Sequence, residues 1–228
     1  MFAPSSLAQW FGAAGTITAV LVALFKDSII AWIRKPHLNA TSSKETPYTS
    51  RMPIIVHDGK GVILWRGDCY YVRAQVENTG KTRAEKVQVY ASKLAKRGAD
   101  GRFSELQSFI PLNCKWSNSP PGGVSAILDG ISPKMAAFFD VIALCDPSNP
   151  HQERPEGVAQ DITVAQLQLE VDPLTKSNVL APGTYRLTLR IAAANAEPIE
   201  KVFEFTHSGS WLANDAEMRR DCLGISLS

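Results

Sequence analysis

The pattern of apolar and polar positions divides the chain in two. From Leu7 to Phe25 run 19 residues without a charge, of which only Gln9, Thr16 and Thr18 are distinctly polar. At 1.5 Å per residue this run makes a helix of about 28 Å, close to the roughly 30 Å hydrocarbon core of a bilayer. The helix can continue through Lys26-Asp27 into the amphipathic run Ser28–Ile33. Trp10 and Trp32 stand where interfacial anchors stand, Ser5 or Ser6 can cap the start, and Pro36 stops it. The expectation is a transmembrane helix with its juxtamembrane segment over residues 1–36, and a soluble domain over 37–228. A cleaved signal peptide would carry positive charge ahead of the apolar run, and residues 1–9 hold no Lys or Arg. A buried core helix would be shorter or show a polar face.

Beyond Pro36 the period changes from helical to alternating. His37–Thr41 reads as an exit strand, followed by a polar linker to residue 50. In Cys69–Glu77, Tyr70, Val72, Ala74 and Val76 face one way, which marks a half-buried strand. Asn78-Thr-Gly-Lys81 supplies turn chemistry, and Lys86–Leu94 alternates again through Val87, Val89 and Ala91. Further strands are expected over Phe109–Trp116, Met135–Leu144, Val164–Val171, Thr184–Ile191 and Ile199–Thr206, the last two joined by a turn at Ala194–Pro198. Ser117–Gly123 and Asp146–Asp161 read as exposed loops, the second as an insertion. Ala213–Cys222 reads as a short helix capped by Asn214, with Met218, Cys222 and Leu223 toward the core. Several short strands separated by turn signals predict a mainly β fold, a β-sandwich with a short C-terminal helix.

Charge adds an orientation. Lys26, Arg34 and Lys35 all lie on the C-terminal side of the apolar run, so the positive-inside rule places the soluble domain in the cytoplasm. Residues 37–228 hold acids and bases in equal number, and nothing demands a nucleic-acid partner. Lys81, Arg83 and Lys86 form one small basic group, and Lys93, Lys96 and Arg97 another. They read as solvated edges that discourage aggregation, with contact to anionic lipid as the alternative. Gly15, Ala19 and Ala23 recur every four residues, the spacing that lets membrane helices approach closely and self-associate.

Candidate chemistry is sparse. The chain contains no Walker A, G-x-G-x-x-G, G-x-S-x-G or H-E-x-x-H motif. Cys69, Cys114, Cys145 and Cys222 follow no CxxC or zinc spacing and read as four buried thiols, reduced in a cytoplasmic domain. His37, His57, His151 and His207 are scattered and read as solvated. Asp140, inside Phe138–Ile142, is the most suggestive acid, and reads as an outward-facing or ion-paired strand residue. No catalytic, cofactor-binding or metal-ligating residue is assigned.

The run Val76-Glu-Asn-Thr-Gly80 followed by Ala84-Glu-Lys-Val87-Gln-Val89 resembles the bacterial immunoglobulin-like domains termed CARDB-like. Pro182-Gly-Thr-Tyr185 also looks like the start of a late strand in such sandwiches, where the tyrosine packs at a corner. With its N-terminal helix the chain is similar to bacterial single-pass membrane proteins of uncharacterised function. The soluble part is nearly twice the roughly 100 residues of one such unit, and an adhesive role is not carried over. The function expected is a non-enzymatic interaction module held at the cytoplasmic face of a bacterial inner membrane, with the bilayer and a protein as partners. The alternative is a membrane effector or sensor of a stress or phage-defence system whose helix oligomerises on ligand binding. A membrane-tethered enzyme with Asp140 as its acid is the third reading.

Overall fold

The computed structural model describes residues 4–117 and 126–228. Helix α1 spans Pro4–Ile33, starting before the expected Ser5 or Ser6 caps. Fourteen strands follow: β1 (Leu38–Ser42), β2 (Thr49–His57), β3 (Ile63–Asn78), β4 (Ala84–Arg97), β5 (Phe103–Glu105), β6 (Leu112–Asn113), β7 (Lys115–Trp116), β8 (Ile127–Ile131), β9 (Ala136–Cys145), β10 (Ala165–Leu167), β11 (Val179–Leu180), β12 (Gly183–Ala193), β13 (Ala196–His207) and β14 (Leu223–Leu227). Before β14 come a single helical turn, α2 (Asp215–Glu217), and a π-helical turn over Met218–Cys222. The chain is mainly β, in two antiparallel sheets with a short C-terminal helix.

One sheet has the order β1-β3-β9-β10-β11, with β2 also on β3 and β7 on β9. The other has the order β14-β13-β12-β4-β5, with β6 and β8 also on β4. Alternation in the sequence explains the shared core. Tyr70, Val72, Ala74 and Val76 from β3 are buried, as are Val87, Val89 and Ala91 from β4 and Leu187, Leu189 and Ile191 from β12. All belong to one cluster with Phe139, Ile142, Phe203 and Phe205. Each such side chain contributes about 1.5–3 kcal/mol by leaving water.

Register gives this two-sheet body two ends. The near end is where α1 delivers the chain. There Leu38 pairs with Asn78, β4 begins, β9 begins, and β12 turns into β13. The far end holds Cys145, the 146–161 loop, Gly183, His207 and α2. Strand β3 runs from one end to the other, about 50 Å for its 16 residues.

Expected and observed elements differ in several places, and the strand expected over Val164–Val171 is cut to β10 with a single bridge at Leu169. The run over Phe109–Trp116 breaks into β6, a single bridge at Cys114 and β7, since Pro111 ends the ladder before it starts. Residues 51–68, where no strand is expected, form β2 and the first third of β3. The Ser117–Gly123 loop falls outside the described residues from position 118.

Candidate functional site

The first third of β3 pairs only with β2, because β9 stops at Cys145 opposite Cys69. The β2–β3 hairpin therefore leaves the sheet as a free two-stranded arm, about 20 Å long beyond that pair. Cross-strand partners share a face, so Ile54 with Gly67 and Val56 with Trp65 line one side, and Pro53 with Asp68 and Ile55 with Arg66 the other. The Trp65 ring lies directly over Gly67, where an added Cβ would sit 2.0 Å from the indole. Only glycine admits that ring. Met52, Ile55, Val62, Ile63 and Leu64 are exposed, Leu64 at 47 %. Pro53 on the outer strand removes a backbone donor and blunts that edge against strand addition.

A charged knot fixes the arm's root. Arg51 pairs with Asp68 at 2.6 Å, lies 3.5 Å from Asp215, and donates to the Ala213 carbonyl at 2.7 Å. Tyr70 donates its hydroxyl to the Asp215 carboxylate at 2.5 Å. Burial and that carboxylate push the Tyr70 phenol up to about 12, so it is a donor at every physiological pH. Asn214 caps the short helix by accepting from Ala216 and Glu217, as its sequence position predicts. Met218, Cys222 and Leu223 are buried and Arg220 is exposed, whereas Arg219 is half-buried beside Asp215.

Cys69 and Cys145 occupy facing positions of β3 and β9 and form a disulfide, with Cα atoms 4.1 Å apart. This corrects the expectation of four thiols: strand register joins positions 76 apart in sequence, which spacing alone does not reveal. Cys114 and Cys222 are free and buried as expected, and burial raises the Cys114 thiol to about 12. His207 is a second correction. It is 1 % exposed, not solvated, with Nε2 2.9 Å from the Ala181 carbonyl and its ring stacked on Tyr185. Burial lowers its pKa to about 4, so it is neutral at physiological pH. His37, His57 and His151 are exposed.

The 146–161 loop is ordered by Arg154, which donates to the carbonyls of Pro147, Ala159 and Ile162. Asp140 is the ion-paired strand residue that its surroundings require. It takes Arg73 at 2.9 Å and the Ser117 hydroxyl at 2.7 Å, both on Oδ1, on the outer face of its sheet. Among the described residues no group of His, Cys, Asp or Glu is arranged to hold a metal ion.

The helix residues singled out by sequence lie apart from this far-end assembly. Gly15, Ala19 and Ala23 are exposed, and a Cβ at Gly15 would meet nothing within 4 Å. Trp10 and Lys26 are exposed, as is Arg34, while the Trp32 side chain lies outside the described residues. Lys35 pairs with Glu197 at 3.1 Å. Trp10 is 76 % and Leu24 70 % exposed, and Phe11, Ile17, Val20, Leu21, Val22 and Phe25 are exposed with them. Thr16 and Thr18 turn their hydroxyls back onto the carbonyls of Gly12 and Ala14. Among the described residues no helix is long and apolar enough to cross a membrane, the described side chains of α1 running from Trp10 to Lys26. No family model, curated protein or solved structure matches this chain.

Proposed function

We propose that this protein is a non-enzymatic interaction module, anchored by α1 in a bacterial inner membrane and docking a protein partner through the far end of its β-domain. The observation that carries the reading is the uncovered apolar surface of α1 from Trp10 to Phe25. A helix apolar on every side is stable only when buried, and the two-sheet body leaves it bare. Leu7, outside the described side chains, extends the uncharged run to the length of a hydrocarbon core. The inward-turned threonine hydroxyls add no unpaired polar group to it.

The arm supports the docking half. A two-stranded ribbon is marginal in water without a covering surface. Its exposed apolar side chains, carried on both faces, are of the kind that mark interaction sites. A protein fits better than the same bilayer, because β3 carries the arm to the end opposite α1. The immunoglobulin-like assignment belongs to the same proposal. It draws support from Tyr185, whose hydroxyl donates to the Ala181 carbonyl at 2.8 Å, as a sandwich-corner tyrosine does. The alternative of a helix-clustering effector rests on the exposed Gly15, Ala19 and Ala23 stripe.

Orientation follows from two opposed features. Lys26, Arg34 and Lys35 favour the cytoplasm, whereas a lasting disulfide belongs to an oxidising compartment. We take the charges as decisive. They act during insertion, whereas the β3–β9 register brings the two sulfurs together on either side of the membrane. C-terminal fusions to a reporter active only in the cytoplasm, and to one active only outside, test this together with thiol trapping in intact cells. Cytoplasmic activity is expected. External activity with an intact disulfide reverses the orientation, and a fusion found in the soluble fraction removes the anchor.

A further inference from the structure

The near end carries a second unassigned feature. The backbone clasps the chain where it leaves α1. The Thr82 hydroxyl donates to the Arg34 carbonyl, the Thr79 amide to the His37 carbonyl, and the Lys81 amide reaches the Lys35 carbonyl at 3.5 Å. Gly80 lies against Lys35-Pro36-His37 so closely that a Cβ there would sit 2.4–2.6 Å from three backbone atoms. The adjoining β8–β9 turn closes on the same point, since the Lys134 amide donates to the Asn78 carbonyl. These contacts bring Lys81 and Lys134 beside Arg34 and Lys35 at the helix exit.

Two of the acids here are already engaged: Glu197 holds Lys35 and Asp129 holds Arg83. Glu77 and Glu85 are exposed nearby. Arg34, Lys81, Lys86 and Lys134 have no ion-pair partner among the described residues. Lys86 and Lys134 also take left-handed backbone, φ 50° and 61°. An ordinary L-residue is disfavoured there, and glycine or asparagine would serve more easily. The third lysine of this kind, Lys176 at the far end, is compensated by an ion pair with Glu153 at 2.5 Å. The two at the near end have no such ion pair among the described residues. Met135, next to Lys134, is 60 % exposed, and a cleft of about 550 Å³ opens between Pro36-His37-Leu38 and Pro198-Ile199.

We propose that this near end is a lipid-facing surface, seated on anionic phospholipid headgroups by Arg34, Lys81, Lys86 and Lys134, with Met135 entering the interface. The inference rests on the anchoring role of α1. Juxtamembrane cations gain from a negative surface potential only within about a Debye length, which the clasp at residues 34–37 secures. The seat fixes the body upright, so that the arm points away from the bilayer.

The test uses the full chain in vesicles of phosphatidylcholine, with and without phosphatidylglycerol. A fluorophore at Ser132→Cys or Lys60→Cys is read by energy transfer to a headgroup-labelled lipid, after flotation confirms insertion. Transfer from position 132 is expected to rise in the anionic vesicles, to fall with added salt, and to fall in Lys81→Glu and Lys134→Glu, where each unit of charge weakens the lipid contact equilibrium about fivefold, but not in Lys134→Arg. Position 60 is expected to give none. Equal transfer in both vesicle types, or no response to either glutamate, overturns the seat and leaves the anchor standing. A chain that floats with neither vesicle refutes the anchor and the seat together.

Discussion

The two ends of the β-body present opposite surfaces. The near end is clasped tightly round the incoming chain and offers unpaired cations. The far end projects an apolar arm, and its 146–161 loop carries four acids, Asp146, Glu153, Glu156 and Asp161, against Arg154. At the near end, polar groups meet the bulk of the body through one buried hub: Asn78 accepts from His37 and Gly80 and donates to the Thr82 and Ile131 carbonyls. At the far end the arm's root is tied by the Cys69–Cys145 disulfide and the Tyr70–Asp215 hydrogen bond, and the Arg51 salt bridges beside them are half-open to water, each contributing little on its own. Past that root the arm's strands pair with each other alone.

The largest effect is expected in α1 itself. Val20→Arg with Leu24→Arg puts two charges into the apolar run at about 2.5–3.5 kcal/mol each near a bilayer centre. Fractionation is expected to move the protein out of the membrane. Asn78→Ala comes next. It strips four hydrogen bonds from a fully buried group and leaves carbonyls unpaired, for about 3 kcal/mol of stability. Hydrogen exchange should rise first at the His37 and Gly80 amides. Equal acceleration at the far end would break the comparison.

Acid is expected to act on the far end. The His207 pKa is about 4 in the folded protein and near 6.5 unfolded, so between those values the unfolded chain binds the extra proton. Stability is therefore full above pH 6.5 and is lost as pH falls toward 4, by about 3 kcal/mol. Denaturant titrations of the native chain and of His207→Phe check the sign, since the variant should flatten that window. Tyr70→Phe is smaller, about 1 kcal/mol for one hydrogen bond, and should loosen the Asn214–Cys222 segment against the arm's root. Smallest in stability is Leu64→Glu, within about 0.5 kcal/mol at an exposed site. Its effect should appear as loss of the protein adducts that a photo-crosslinker at Ile55 forms in native membranes. Unchanged adducts would remove the arm from the docking surface.

Much of the body was legible because alternation is a local signal. The buried faces of β3, β4 and β12 and the Asn214 cap follow directly from residue order. The arm was not legible as a site. Met52–Val56 and Val62–Trp65 carry apolar residues on both faces, so they lack the alternation that marks a half-buried strand. Only the point where β9 stops makes them exposed. The Cys69–Cys145 pair and the burial of His207 depend on the register of strands distant in sequence. Lys81 and Lys86 were legible as one small basic group with Arg83, whereas Lys134 joins them only through the turn that bonds its amide to the Asn78 carbonyl.

We propose that α1 crosses the bilayer and holds the near end against it. Alkaline carbonate extraction of membranes containing the full chain tests this most directly. Retention in the membrane pellet, with loss to the supernatant for the Val20→Arg, Leu24→Arg variant, is the result predicted. Release of the unaltered chain would refute the anchor, since a helix with this bare apolar surface would then have to be covered by protein and not by lipid.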